Sequence, residues 1–238
     1  MYGDRMPVNR GKLRDLLLEG LQPHILWGKC LRSFTVTGHG VRVHFDDDTS
    51  YEGKLLVGAD GANSRVRSLS YGPERSSITA LPACFLGTHA RATERQITPL
   101  LQLDPVLFQG CHPNYPIWMW FSIMEKPGRE RAQSNVPLWT VQICISWLSP
   151  NGLADIPRSD AERVQLMRKK ARDFHPQLQR IFYDIITPDH KPVINVPLGL
   201  WWLPEDGANM NRHGCVTLVG DAAHTMPLCK ASCPTLLS

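Results

Sequence analysis

Two short segments, one near each end of the chain, share a pattern that strongly limits the fold. Each is an apolar run that ends in glycine and aspartate among small residues: KLLVGADGANS at 54–64 and CVTLVGDAAH at 215–224. Continuous apolar runs are typical of buried strands. The carboxyl ends of such strands are where open α/β sheets bind ligands. The pattern therefore predicts two strand–turn–helix units of α/β type.

The chain between these segments has a different character. From about residue 69 prolines and aromatic residues become frequent, and the runs PIWMWFSIM (116–124) and PLWTVQICISWL (137–148) are rich in β-branched and aromatic residues. Such composition favours strands. We therefore predict an α/β protein with two domains, one discontinuous and formed by 1–70 plus 205–238, the other a β-sheet-rich insertion formed by 71–204.

Several local structures are also predicted. The leucines of NRGKLRDLLLEGL (9–21) recur at helical spacing, which indicates an amphipathic helix capped by Asn9. Val41 and Val43 alternate with polar residues, which indicates a half-buried strand, and DDDTS (46–50) predicts the turn of a hairpin. Asn63 or Ser64 is expected to cap the helix after the first aspartate.

Composition excludes several classes of protein. The 238 residues are 42% hydrophobic and 20% charged, which is ordinary for a globular protein. The net charge of +4 is spread along the chain, so we expect no nucleic-acid partner. No apolar run reaches the ~18 residues of a membrane span, and the N-terminus has no signal-peptide pattern. We expect a soluble cytoplasmic protein whose oligomeric state the sequence leaves open.

The pattern of cysteines and histidines predicts no metal site. The seven cysteines are scattered and contain no C-x-x-C, and the nine histidines form no ligand cluster. An odd number of scattered cysteines favours reduced thiols over a disulfide framework. No nucleophile motif is present, so we name no catalytic residue.

The two aspartate segments admit two interpretations. Gly220 lets a ligand approach the backbone, and Asp221 can accept hydrogen bonds from ligand hydroxyl groups. Either aspartate could instead cap the helix that follows it. The spacing within one segment does not separate these alternatives.

Three motifs together resemble a known family. GADGANSRVR (58–67) resembles the D-G motif of the flavin-dependent aromatic-hydroxylase class of monooxygenases, and VTLVGDAAHTMPL (216–228) resembles its G-D motif. DRMPVNRGKLRDLLLEGL (4–21) resembles the helix that carries a flavin-contacting arginine in this class. The resemblance covers nearly the whole chain. Within the class, the sequence is most similar to the tetracycline-degrading and fungal secondary-metabolism branches.

The resemblance implies a fold, a cofactor and a reaction. It implies a glutathione-reductase-like Rossmann domain that binds FAD, with Arg10, Asp60, Gly220 and Asp221 as cofactor-binding residues. Enzymes of this class use NAD(P)H and O2 to oxygenate a small organic molecule. The aromatic middle segment fits a pocket for an aromatic or polycyclic substrate, but aromatic residues equally fill cores. The resemblance to the fungal branch implies a secondary-metabolite substrate. Hydroxylation and Baeyer–Villiger oxidation both remain open.

The chain departs from the family pattern at both ends. It contains no G-x-G-x-x-G, and after Pro227 the family's second proline and glycine-rich loop are replaced by LCKASCPTLLS. We therefore expect an incomplete FAD-binding domain, truncated at both ends. The alternative function is a catalytically inactive remnant that acts as a binding or regulatory protein. A nicotinamide-only oxidoreductase is disfavoured, because the glycine-rich fingerprint is missing.

Overall fold

Two units organise the chain in the computed structural model, which describes residues 8–127, 137–151, 155–203 and 214–225. The sheet unit comprises Met1–Gly20 and Pro82–Pro197, and the motif unit comprises Leu21–Leu81 and Leu198–Ser238. The predicted boundaries at 70 and 205 differ from these divisions. The assignment of the predicted domains as cofactor-binding and substrate-binding stays a prediction.

Within its described residues, the motif unit contains three small sheets and one α-helix. Its elements are β1 (Leu31–Thr37), β2 (Gly40–Phe45), β3 (Ser50–Gly53), β4 (Leu56–Gly58), α2 (Arg65–Arg75), β5 (Thr79–Ala80), β11 (Gly199–Leu200) and β12 (Val216–Leu218). Strands β1, β2 and β3 form an antiparallel sheet, and β5 pairs antiparallel with β11. Strand β12 runs parallel to β4.

The predicted hairpin is confirmed. Strand β2 pairs with β3 from Val41 opposite Gly53 to His44 opposite Ser50, and the turn includes Asp48 with a positive φ of 61°. Val41 is buried and Arg42 exposed, as the alternation predicts. Arg42 forms an ion pair across the strands with Glu52, which suits opposite charges on neighbouring strands.

The prediction that the first aspartate segment forms a fully buried strand is only partly correct. Gly58 is buried, but Val57 is 44% exposed. Among the described strands, β4 has a hydrogen-bonded neighbour on one edge alone. The second segment fits its prediction better, because Val216 and Leu218 are buried.

The sheet unit is built on a five-stranded antiparallel sheet in the order β10–β6–β9–β8–β7. Its strands are β6 (Ala83–Thr93), β7 (Leu107–Cys111), β8 (Ile117–Glu125), β9 (Leu138–Leu148) and β10 (Ile194–Asn195). Its helices are α1 (Arg10–Leu18), α3 (Glu94–Leu101), α4 (Asp160–Lys170), α5 (Pro176–Arg180) and a π-helical turn (Ile181–Ile185).

One face of this sheet forms the main core. Strand β8 alternates buried and half-buried residues, and Met119, Phe121 and Ile123 are at most 2% exposed. They form one cluster with buried residues of α3, α4 and the π-helical turn. Trp118 and Trp120 lie on the opposite face and are half-buried, because successive strand residues point to opposite sides.

Helix α1 forms where the sequence predicts it, but its apolar side is not covered. The Asn9 side chain accepts hydrogen bonds from the backbone N–H groups of Gly11 and Lys12, which confirms the predicted cap. Within the described residues the helix buries no side chain, and Leu16 and Leu17 remain more than half exposed. An ion pair between Lys12 and Glu125 joins it to strand β8.

Within the described ranges, every helix is too short or too polar to cross a bilayer.

Candidate cofactor site at the strand ends

The parallel pairing of β4 and β12 brings the two aspartate segments together. Leu56 lies opposite Val216, and Gly58 lies opposite Leu218. The Val219 amide then donates a hydrogen bond to the Gly58 carbonyl at 2.9 Å. Because both strands run in the same direction, the residues that follow them emerge at the same edge of the sheet. Three predicted site residues, Asp60, Gly220 and Asp221, therefore follow neighbouring strand ends.

The Asp60 carboxylate is engaged within its own segment. One oxygen accepts a hydrogen bond from the Ser64 hydroxyl at 2.5 Å, and the other accepts from the backbone N–H groups of Arg65 at 2.7 Å and Val66 at 3.2 Å. Burial opposes ionisation here, but the hydrogen bonds from Ser64 and the backbone outweigh it and lower the pKa of Asp60. Asp60 thus stabilises the start of α2.

Ser64 also caps this helix. Its hydroxyl oxygen accepts a hydrogen bond from the Arg67 amide at 3.0 Å, so Ser64 rather than Asn63 is the cap. Ser64 is 2% exposed, and its hydroxyl hydrogen is the one donated to Asp60. The two side chains therefore act together at the first turn of α2.

Asp221 differs from Asp60 in its hydrogen bonds but not in its exposure. It is exposed, and none of the described residues donates a hydrogen bond to its carboxylate. The segment forms a 3-10 turn over Gly220–Ala222 rather than the start of an α-helix within the described residues, and no side chain caps it. Gly220 has a φ of 59°, and a Cβ atom there would meet no described atom within 4 Å. Among the described residues, Gly220 therefore has open space beside it and the adjacent Asp221 carboxylate has no hydrogen-bond donor.

The Arg67 side chain connects the two segments through hydrogen bonds to their backbone carbonyls. It is 2% exposed and donates hydrogen bonds to the carbonyls of Ala62, Ser76 (3.3 Å) and Ala222 (3.1 Å). Its guanidinium also lies 4.8 Å from the ring centroid of Trp201. Burial lowers the pKa of Arg67, and the nearby Asp60 charge partly opposes this. Because it contacts Ala62 and Ala222, Arg67 fixes the loop of one segment against the turn of the other.

An open cavity of about 660 Å³ lies beside β4. Its apolar wall comes from the antiparallel sheet and from Leu56 and Val57. Its charged lining residues are Lys29, Asp46, Asp60 and Arg65. Cys30 lines the same cavity. The hydrogen bond between its thiol and the Asp46 carboxylate, together with the charge of Asp46, raises the pKa of the thiol. A raised pKa disfavours Cys30 as a nucleophile. A cavity of this size suits a small organic ligand.

Arg10 lies in the other unit. It is the first residue of α1 and is exposed, and no described residue forms an ion pair with its side chain. The structure therefore brings together Asp60, Gly220 and Asp221 and places Arg10 on the sheet unit. The segment after Pro227, where the sequence departs from the family's second proline and glycine-rich loop, lies outside the described residues.

Arg67 is not among the predicted site residues, and the sequence alone does not indicate that it bridges the two segments. Its hydrogen-bond partner Ala222 lies 155 residues further along the chain, so no local pattern signals the contact. Among the described residues, no group of three or more His, Cys, Asp or Glu side chains could hold a metal ion.

These features define an α/β protein with a candidate ligand site at the carboxyl ends of two parallel strands. No protein-family model matches the chain. It is 38% identical over 226 residues to the FAD-dependent monooxygenase dbaB of Emericella nidulans, which covers 93% of this chain and 56% of that protein. The predicted resemblance to FAD-dependent monooxygenases is therefore confirmed. The chain spans about half the length of the curated relatives it matches.

Solved structures show the same fold. A Photorhabdus luminescens protein assigned as an FAD-containing monooxygenase aligns with a TM-score of 0.69 at 22% identity, over 92% of this chain and 58% of that one. Klebsiella pneumoniae HpxO, complexed with FAD and uric acid, aligns with a TM-score of 0.64 at 18% identity, over 91% and 48%. At these identities the likeness concerns the fold, which is α/β with sheets.

Proposed function

We propose that this chain is the part of an FAD-dependent monooxygenase that holds one end of the cofactor and the substrate. The observation that carries the proposal is the convergence of the two aspartate segments at neighbouring strand ends, with the Asp221 carboxylate left without a described partner. FAD is the cofactor named for its fungal relative. When bound, FAD would supply the redox chemistry, with NAD(P)H as reductant and O2 as oxidant.

The described residues fit a flavin cofactor in specific ways. Asp221 offers an exposed acceptor to ligand hydroxyl groups, and the open space at Gly220 lets a ligand reach the backbone. Asp60 uses its carboxylate to stabilise α2, so its contribution would be to position the loop that follows β4. Arg10 would contact the flavin from the helix that resembles the family's arginine helix.

We assign the five-stranded sheet, which lies within 71–204, to the substrate and residues 1–70 plus 205–238 to FAD, as in the predicted discontinuous architecture. Trp118 and Trp120 occupy the half-buried face of the sheet, together with Ser122 and Gln142. Aromatic rings beside hydrogen-bonding side chains suit a small aromatic or polycyclic molecule. Such an enzyme would work in the cytoplasm, where reduced thiols and NAD(P)H are available.

The first experiment measures cofactor binding. The purified chain is mixed with FAD and passed over a desalting column, and flavin absorbance of the protein peak is compared among variants. Asp221→Ala and Arg10→Ala are each expected to weaken FAD binding about tenfold, because each removes a charged partner. Trp118→Phe should bind FAD like the parent. Equal retention in all variants would contradict the site assignment.

The second measurement separates the enzyme from the inactive alternative. A chain that retains FAD and oxidises NADPH in the presence of O2 supports the monooxygenase. A chain that retains FAD but does not oxidise NADPH supports a binding or regulatory protein on the same site.

A further inference from the structure

A second cavity lies within the sheet unit, between α3 and the segment formed by α5 and the π-helical turn. Its volume is about 610 Å³, within the range of about 300–1,000 Å³ that is typical of small-ligand sites. Two glutamine side chains tie its walls together. Gln96 donates a hydrogen bond to the Asp184 carbonyl at 2.6 Å, and Gln177 donates to the Pro99 carbonyl at 2.6 Å.

The interior and the mouth of this cavity differ in chemistry. Its apolar lining includes Leu100, Ile181 and Ile185, which are 2%, 0% and 5% exposed and belong to the main core. The mouth carries the guanidinium groups of Arg95 and Arg180. The core side chains that line the cavity therefore expose little of their surface, whereas the two arginines are exposed. The π-helical geometry of one wall is itself uncommon and is frequent at functional sites.

The two arginines are available to a ligand. No described residue forms a hydrogen bond or an ion pair with the side chain of either Arg95 or Arg180. Other arginines of the same unit are engaged: Arg163 and Arg168 each donate to two backbone carbonyls. Asp184 also lines the cavity, but it forms no ion pair with Arg180 in the described structure.

The charge balance at the mouth favours an anion. Arg95 and Arg180 outnumber the single lining carboxylate of Asp184. The neighbouring Glu94 does not line the cavity, and its carboxylate accepts a hydrogen bond from the Trp139 indole at 2.6 Å. A guanidinium binds carboxylates through paired, charge-assisted hydrogen bonds.

We propose that this cavity is a second ligand site, which binds a small organic carboxylate. The carboxylate would bind Arg95 and Arg180, and the rest of the molecule would lie against the half-buried lining residues Gln96, Pro99 and Gln177. This site lies wholly in the sheet unit and does not depend on FAD binding by the motif unit.

Octanoate is a suitable probe, with octan-1-ol as the neutral analogue of equal chain length. Binding is measured by calorimetry and by chemical-shift changes of backbone amides near Arg95 and Arg180. Octanoate should bind more tightly than octanol, and Arg95→Gln and Arg180→Gln should each weaken it about tenfold. Both side chains lack described partners, so these variants should keep the parent's circular dichroism and melting temperature.

Arg172→Gln is the matched control, because Arg172 is an exposed arginine of the same unit that does not line this cavity. It should bind octanoate like the parent, and so should Asp221→Ala. The proposal is overturned if octanoate does not bind, if octanol binds equally well, or if all three arginine variants behave alike. None of these results bears on FAD retention, so failure here is distinct from failure of the proposed function.

Discussion

The two strand-end turns of the motif unit share a sequence pattern but use their aspartates differently. Asp60 accepts three hydrogen bonds from Ser64, Arg65 and Val66. Asp221 is exposed and accepts none from the described residues. Helix α2 follows Asp60, and the free amide groups of its first turn donate to the carboxylate. Among the described residues, one aspartate therefore supports the start of a helix and the other does not.

The largest expected effect comes from removing the connection between the turns. Arg67→Met should lower the free energy of unfolding by about 3 kcal/mol or more, because the backbone carbonyls that it contacts lose their donors in a buried place. Urea denaturation checks this. Arg65→Met is the control, since Arg65 is exposed and its side chain makes one long contact of 3.4 Å with the Arg32 carbonyl. Equal decreases in the free energy of unfolding in both variants would show that the hydrogen bonds of Arg67 do not stabilise the two segments.

The two glycines of the turns should also differ. A Cβ atom on Gly58 would lie 2.6 Å from Leu218 Cδ2 and 2.8 Å from Val66 Cβ, so Gly58→Ala should cost about 1–3 kcal/mol through overpacking. Gly220→Ala meets open space and should cost only about 1–2 kcal/mol, for its positive φ. Thermal denaturation of both variants measures the difference.

Gly38→Ala serves as the reference for these glycine variants, because a Cβ atom there has nothing within 4 Å and its φ needs no glycine. It should change stability by less than about 0.5 kcal/mol. If Gly58→Ala were equally neutral, the close packing of α2 against β4 would be in doubt.

Substitution of the two aspartates should affect different properties, protein stability for Asp60 and FAD binding for Asp221. Asp60→Asn should destabilise the chain by about 1–2 kcal/mol, since it weakens the acceptors at the start of α2. Asp221→Asn should leave stability within about 0.5 kcal/mol of the parent while weakening FAD binding. Denaturation and flavin titration on the same samples test both halves. A destabilised Asp221→Asn would mean that its carboxylate supports the fold.

The smallest effect is a dependence on pH. The pKa of Asp60 is lowered on folding from 3.8, so its ionised form favours the folded state, and that contribution is present above about pH 4. It is lost as the pH falls through the lower pKa of the folded state. The stability gap between the parent and Asp60→Asn should therefore narrow below pH 4, as acid titrations of unfolding would show. A constant gap would exclude this linkage.

Much of the local structure could be predicted from the sequence. Asn9 caps α1, the alternation at Val41 and Val43 forms β2, and both apolar runs before aspartate form strands. These features depend on neighbours within a few residues. The leucine side of α1 shows the limit, because helical spacing predicts an apolar face without saying whether any element covers it.

The sequence by itself determined that a strand precedes each aspartate and that Asn9 caps α1. Only the tertiary structure decided that β4 and β12 pair in parallel. It also decided that Asp60 accepts hydrogen bonds from the start of α2, whereas Asp221 accepts none from the described residues. Finally, it decided that Arg67 is buried and contacts both segments. It also placed Arg95 and Arg180 at one cavity. The physical reason is that strand pairing and burial depend on contacts between residues far apart in the chain, which local periodicity does not encode.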